Sequence, residues 1–370
     1  MKRITINPRS DWQTQVESLG LSFHTINGEI YWDERACYQF DSKEVDELED
    51  ASNELEKMCL ELVDQVVKQV RYDELHIPEF AWPLIESSWK RGDKNLYGRL
   101  DYSYDGTTPP KLLEYNADTP TALLEASVIQ WQWLEQARPN SDQFNSIHER
   151  LVAAWPHFGP GFIHLTCVEK NEEDFVNLAY MADTIIQAGL IPKLLPIEQI
   201  GWDGQDFLDQ ENEVIRTLFK LYPWEWMLED EFGVNLLQAK TQIIEPAWKM
   251  ILSNKGLMVL LWEMFPDHPN LLPAYFDSKK LKGDYVKKPL LSREGENISL
   301  FSNKGNILSH GTYGDGVFMY QKAHHLPNFD GHYPVIGSWL VASESAGMGI
   351  REDSTPITRN TSRFVPHFFD

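Results

Sequence analysis

YGRLDYSYDGTTPPKLLEYNADTPT, residues 97–121, reads as two short strands joined by a tight loop, with charged groups where a buried hairpin has apolar ones. Side chains alternate faces along a strand, so Arg99 and Asp101 share one face of the first strand, and Glu114 and Asn116 share one face of the second. Asp105-Gly106 and Pro109-Pro110 supply the turn chemistry. If the strands pair so that these faces coincide, two carboxylates, an amide oxygen and a guanidinium converge. Hard oxygen ligands of that kind suit Mg²⁺, which keeps several waters and completes its shell with substrate phosphates. The arginine beside them would meet a phosphoryl group. An isolated R-x-D or E-x-N is ordinarily the solvated face of a ribbon, where cross-strand ion pairs add modest stability. Both together on consecutive strands, followed by the small polar run Ala117-Asp118-Thr119-Pro120-Thr121, favour a site.

With 370 residues, 42% hydrophobic and 12% aromatic, the chain has material for two or three lobes around ample cores. Its formal net charge of −23 disfavours nucleic acid and anionic membrane as partners, because like charges repel. An anionic ligand is still admissible where local basic residues outvote the total, and an acidic surface would draw amines. The three cysteines, Cys37, Cys59 and Cys167, form no C-x-x-C pattern and read as reduced, buried thiols. No apolar run of about eighteen residues occurs, and the amino terminus lacks an apolar segment behind its basic residues, so a cytoplasmic protein is expected.

Residues 42–72 place apolar positions at helical spacing under an acidic outer face, and residues 121–138 read as a second helix with Trp131, Trp133 and Leu134 in the core. Residues 161–168, 171–190 and 191–195 read as strand, helix and strand, a βαβ unit that implies a parallel sheet. Asn171, Glu172 and Glu173 follow the first strand's carboxyl end, where α/β proteins place ligands, although acidic residues at a helix start also simply complement its dipole. Later, Ser253-Asn254-Lys255 opens a helix, and the strand Tyr285–Pro289 leads into the loop Ser292–Asn297, a plausible clamp for nucleotide phosphates. It is neither a Walker A nor a Rossmann motif. Gly314-Asp-Gly316 separates two strands, and Val317–Gln321 reads as a hinge strand facing an adenine. His324, His325 and His332 fit no standard metal spacing and read as loop packing, and SESAG falls short of a serine nucleophile elbow.

The hairpin, the segment EPAWKMILSNKGLMVLLWEMFPDHPNLL, the loop VKKPLLSREGENI and the tail VIGSWLVASESAGMGIRED…TSRFVPH together resemble the synthetase domain of the glutathionylspermidine synthase family, which includes trypanothione synthetases. The resemblance runs from about Trp82 to His367. It implies an α/β (α+β) ATP-grasp fold with an attached pre-ATP-grasp-like α/β lobe. The approximate lobes would be residues 1–95 (helical), 96–140 (the hairpin), 141–245 (the acid-substrate lobe) and 246–370 (nucleotide-gripping). It also implies an amide made from a carboxylic acid and an amine through an acyl phosphate, with ATP as co-substrate and Mg²⁺, as two ions, as cofactor. Arg99 resembles the family arginine that stabilises the transferring phosphoryl group, and Arg351 a second one near it. Asp101, Glu114 and Asn116 are similar to its magnesium ligands. Arg99, Leu100, Asp101, Lys255, Lys288, Glu294, Gly295, Gln321, Pro356, Ile357 and Thr358 match positions around ATP. Thr119, Thr121, Glu172, Glu173 and Arg293 match positions near glutathione.

Two departures stand out. The chain is too short to hold the amino-terminal cysteine amidase domain of the bifunctional members, so amide hydrolysis is not expected. Where the family reads K-T-W-A-W-E this chain reads Lys220-Leu-Tyr-Pro-Trp-Glu225, with Leu221 replacing a threonine expected to touch the acid. Altered acid specificity follows. Partners are then a small-molecule acid, with glutathione or another peptide-like acid as the candidate, and an amine, with a polyamine as the candidate; no nucleic acid, membrane or protein is implied. A nucleotide-binding regulatory protein and an ATP-grasp phosphotransferase stand as the alternatives.

Overall fold

The computed structural model describes residues 1–293, 295–303, 305–311, 316–359 and 362–370. The chain opens with β1 (Lys2–Thr5) and β2 (Ala36–Phe40), then the 28-residue helix α1 (Ser42–Gln69). An Asp41–Glu44 capping box starts that helix by satisfying its first backbone donors, and Val45, Leu48, Leu55, Leu62 and Val66 lie buried along one stripe. The hairpin follows as β3 (Tyr97–Ser103) and β4 (Lys111–Asn116). In its turn the Asp105 carboxylate accepts from the Thr107 and Thr108 amides at 2.8 Å, and Gly106 takes a φ of 79° that a side chain would resist.

A single π-helical turn, Glu125–Ile129, runs into α2 (Gln130–Ala137). Trp133 and Leu134 are buried there as expected, but Trp131 points outward and is 39% exposed, because the helix buries only one side. Next come β5 (Phe162–Cys167), α3 (Glu172–Gln187) and β6 (Ile191–Pro196), the βαβ unit read from the sequence. Then follow β7 (Thr217–Leu221), α4 (Trp224–Glu229), β8 (Gln242–Ile244) and α5 (Leu257–Met264). The last third is mainly strand: β9 (Ala274–Tyr275), β10 (Tyr285–Pro289), β11 (Ser299–Phe301), β12 (Ile307–Leu308), β13 (Phe318–Lys322), β14 (Tyr333–Val341), β15 (Glu344–Asp353), β16 (Arg363–Phe364) and β17 (His367–Phe369).

Three sheets position the site. The hairpin is not a free ribbon: it belongs to a five-stranded antiparallel sheet of order β16-β15-β14-β3-β4. All seven residues of β3 are therefore buried, since β14 and β4 flank it and the core covers the face that carries Leu100 and Tyr102. A second five-stranded antiparallel sheet, β9-β13-β10-β11-β12, carries the Lys288 strand. The third is a four-stranded parallel sheet, β8-β7-β5-β6, built on the βαβ unit. A three-stranded sheet joins β1 and β2 to β17, so the first residues of the chain are tied to the last. Two large apolar clusters lie between these layers. Cys37, Cys59 and Cys167 are free and buried within them. Among the described residues no helix is long and apolar enough to cross a membrane. Part of the Gly314–Gly316 turn lies outside the described residues.

Candidate active site

The pairing register decides the hairpin's chemistry. Arg99 stands opposite Asn116 and Asp101 opposite Glu114, after which the register shifts and leaves Leu113 without a direct partner. All four functional side chains therefore share one face, and that face lines a cleft of about 450 Å³ between the two five-stranded sheets. Asn116 donates from Nδ2 to Asp101 Oδ2 at 3.0 Å, with Glu114 Oε1 at 3.4 Å. The Arg99 guanidinium donates to both oxygens of Asp101, at 2.7 and 3.2 Å, and to the Thr121 carbonyl at 2.8 Å. Its aliphatic part lies against Gly337 and its charged end over the Trp339 ring, 5.5 Å from the centroid.

Two lysines approach from the other side. Lys255 sits 3.3 Å from Glu114 Oε2 and donates to the Ser292 carbonyl at 2.8 Å. Lys288 Nζ donates to the Leu113 carbonyl at 2.7 Å and to Gln321 Oε1 at 2.9 Å. Burial is the largest influence on these groups. It pushes Lys288 down to about 8, opposed by the charge of Glu114. It also raises the Asp101 carboxyl, against the pull of Arg99. Glu114 goes the other way: burial acts to raise it, but Lys255, Lys288 and Arg99 together hold it down at about 2. The donor set of two carboxylates and an amide fits a hard divalent cation once the Asn116 amide turns its oxygen inward. The cations around it fit phosphates.

Arg351 also lines the cleft, held by its donation to the Arg359 carbonyl at 2.6 Å. Gly295 has a φ of 72°, and a Cβ there would run into the Thr358 carbonyl, so the loop after β10 closes directly on Ile357 and Thr358, which follow Pro356. All four of these residues line the cleft. Glu294 lies outside the described residues. Leu100 and Gln321 do not reach the cleft. Leu100 points into the core on the opposite face of β3, and Gln321 is buried beneath Lys288, donating to the Leu112 carbonyl at 3.2 Å.

At the far end, Thr119, Thr121, Glu173 and Arg293 line the cleft, whereas Glu172 does not and accepts from the Ser22 hydroxyl at 2.6 Å. Arg293 donates to Thr119 Oγ1 at 2.7 Å and lies over the Trp226 ring. Leu221, Val168 and Pro223 form an apolar wall beside them. Sequence reasoning assigned no individual role to Asp118, Lys220, Glu225 or Trp226. Asp118 lines the cleft and binds the fully buried Lys220 ammonium at 2.5 Å and the Trp224 amide at 2.9 Å. Lys220 alternates with apolar neighbours in a buried strand, and a lysine in that pattern was the available signal. His324 and His325 line the cleft, beside Ser103 and Asp284, while His332 is elsewhere, paired with Glu352.

Among proteins of known sequence, a "Putative acid--amine ligase" of Haemophilus influenzae is 43% identical, with all of both chains aligned. The bifunctional glutathionylspermidine synthetase/amidase of Escherichia coli is 27% identical over 96% of this chain and 63% of its own length. Among solved structures, a glutathione synthetase-like effector of Globodera pallida aligns with a TM-score of 0.59 over 97% of this chain and 96% of its own, at 11% identity. That likeness and the two facing antiparallel sheets mark the fold as ATP-grasp. The family model described as glutathionylspermidine synthase preATP-grasp matches residues 3–370, and the chain belongs to that family, an ATP-dependent carbon–nitrogen ligase.

Proposed function

We propose that the protein joins a carboxylic acid to an amine through an acyl phosphate, with ATP and Mg²⁺, in the cytoplasm. The observation that carries this reading is the convergence of Arg99, Asp101, Glu114 and Asn116 with Lys255 and Lys288 in one cleft. A carboxylate is a poor electrophile, and phosphorylation makes it reactive. The acid's oxygen attacks the γ-phosphorus, the bond to ADP breaks, and an acyl phosphate forms. The neutral amine then attacks the acyl carbon, phosphate leaves, and the amine gives up a proton.

Arg99 and Arg351 would neutralise charge spread over the phosphoryl oxygens, and Lys255 and Lys288 would hold the nucleotide phosphates. Asp101, Glu114 and Asn116 would hold Mg²⁺, which would supply positive charge to offset that of the phosphates. Thr119, Thr121, Glu173 and Arg293 would receive the acid. The apolar wall at Leu221 supports an acid with an apolar group at that point, which a threonine would not favour. The test is incubation with ATP and Mg²⁺ across paired acids and amines, read by mass spectrometry. A condensed product with one phosphate released per bond supports the ligase. Phosphorylated acceptor without condensation supports a phosphotransferase and overturns it.

A further inference from the structure

Behind the cleft lies a second cavity of about 450 Å³ that the reaction scheme does not use. It opens between the four-stranded sheet and the segment from α4 to the short turn Gly233–Leu237, and it meets the main cleft at Val168 and Trp226. Its inner surface is apolar, with buried Phe207, Leu218 and Met227 and the half-buried Ile243. Trp226 and Phe232 present exposed rings at the opening, 37% and 36% accessible, where a protein would ordinarily cover them.

The charged residues that line this cavity have one sign, while the Arg293 guanidinium lies over Trp226 from the main cleft. Glu198, Asp230 and Glu231 stand around the opening. Among the described residues, none of the three takes part in an ion pair. Asp230 lies close to Tyr222, whose phenol, raised first by burial and then by that carboxylate, titrates at about 12. Aromatic faces beneath carboxylates select against anions and favour an organic cation, through cation–π attraction and charge pairing together. A purely apolar guest would use the walls and leave the acids idle.

We propose that this cavity is a subsite for an ammonium group on an apolar body, the ring or chain lying between Phe207, Trp226 and Phe232 and the charge meeting Glu198 and Asp230. In the ligase reading, on which only the source of the group rests, it belongs to one of the two condensing substrates. It is either a second amino group on the amine or the distal amino end of a peptide-like acid. Trp226, shared by both cavities, lets one molecule reach from the subsite to the reacting carbon.

The first test is calorimetric titration of the full chain with phenethylammonium and with its neutral isostere 2-phenylethanol. The ammonium binds about tenfold tighter or better, and the exposed pair of changes Glu198→Gln and Asp230→Asn removes that preference while ATP affinity holds. Equal binding of the two probes, or a preference that survives in the double variant, overturns the proposal. Steady-state ligation then separates the sources. A rise in KM for the amine alone assigns the group to the amine, and a rise for the acid alone assigns it to the acid. No change in either overturns the subsite. If the wild-type protein ligates nothing while the ammonium preference and its loss in the variant persist, the ligase reading falls and the subsite stands.

Discussion

Arg99 is fixed before any substrate arrives. Asp101, the Thr121 carbonyl and the Trp339 ring hold it on three sides, so it meets a phosphoryl group with little reorganisation. Replacing Arg99 with alanine should leave ATP binding near wild type and lower turnover by about 10³, the scale for arginines that act on phosphoryl transfer. Single-turnover kinetics beside a nucleotide titration would check it, and unchanged turnover would exclude the role. Lys288 gives a pH signature. Burial lowers its pKa to about 8, so its charge is present below that pH and lost above it. Affinity of the free protein for ATP should fall as pH rises from 7 to 9, and Lys288→Arg should flatten the profile, because a guanidinium stays charged. The alternation of Arg99 with Asp101 and of Glu114 with Asn116 was legible from the two-residue period of a strand. The inaccessibility of Leu100 follows from the same period, since it must face away from its neighbours. Gln321 could not be read that way, because its partners Lys288 and Leu112 come from other strands.

At the scale of elements, glycines let strands approach the catalytic side chains. A Cβ on Gly337 would lie 2.6 Å from Arg99 Cδ, so Gly337→Ala must displace the arginine or the strand. The expected result is turnover reduced by about tenfold or more with a melting temperature shifted by a few degrees, measured by kinetics and calorimetry on one preparation. Strand β17 carries a different load. Its His367 is buried beside Gln130, at 2.9 Å, and burial lowers its pKa to about 3. The folded state therefore refuses a proton that the unfolded chain accepts below about 6.5, and the stability due to this group is lost as pH falls from there toward 3. Thermal melts of His367→Gln against wild type between pH 7 and 4 should show a shallower acid decline in the variant. An identical slope would remove His367 from the account. The helix α1, the βαβ unit and the hairpin were all readable, because each has a local period and local stop signals. The exposure of Trp131 was not, since helical spacing alone does not say which of two aromatic neighbours faces the core.

For the whole molecule, the site is assembled from segments far apart in sequence. The pairing of β14 with β3 across more than two hundred residues brings the Arg351 strand to the hairpin, and the Lys255 and Lys288 segments reach it from a separate sheet and helix start through Glu114 and the Leu113 carbonyl. Such pairing leaves no local trace, and this is why the sequence suggested a two-stranded ribbon where the chain builds one end of a five-stranded sheet. The same holds for Lys220 and Asp118, whose ion pair joins a strand of the parallel sheet to the segment that follows the hairpin. The gathering of Arg99, Lys255, Lys288, Arg293 and Arg351 into one cleft on a chain of net charge −23 is likewise a tertiary property. The central claim is that the cleft passes a phosphoryl group to a carboxylate before an amine displaces it. The direct measurement uses an acid labelled with ¹⁸O in its carboxylate and follows the label by mass spectrometry. The account predicts one labelled oxygen in the inorganic phosphate for each amide formed. Amide formation with unlabelled phosphate would contradict it, because the acid's oxygen would then never have been bonded to phosphorus.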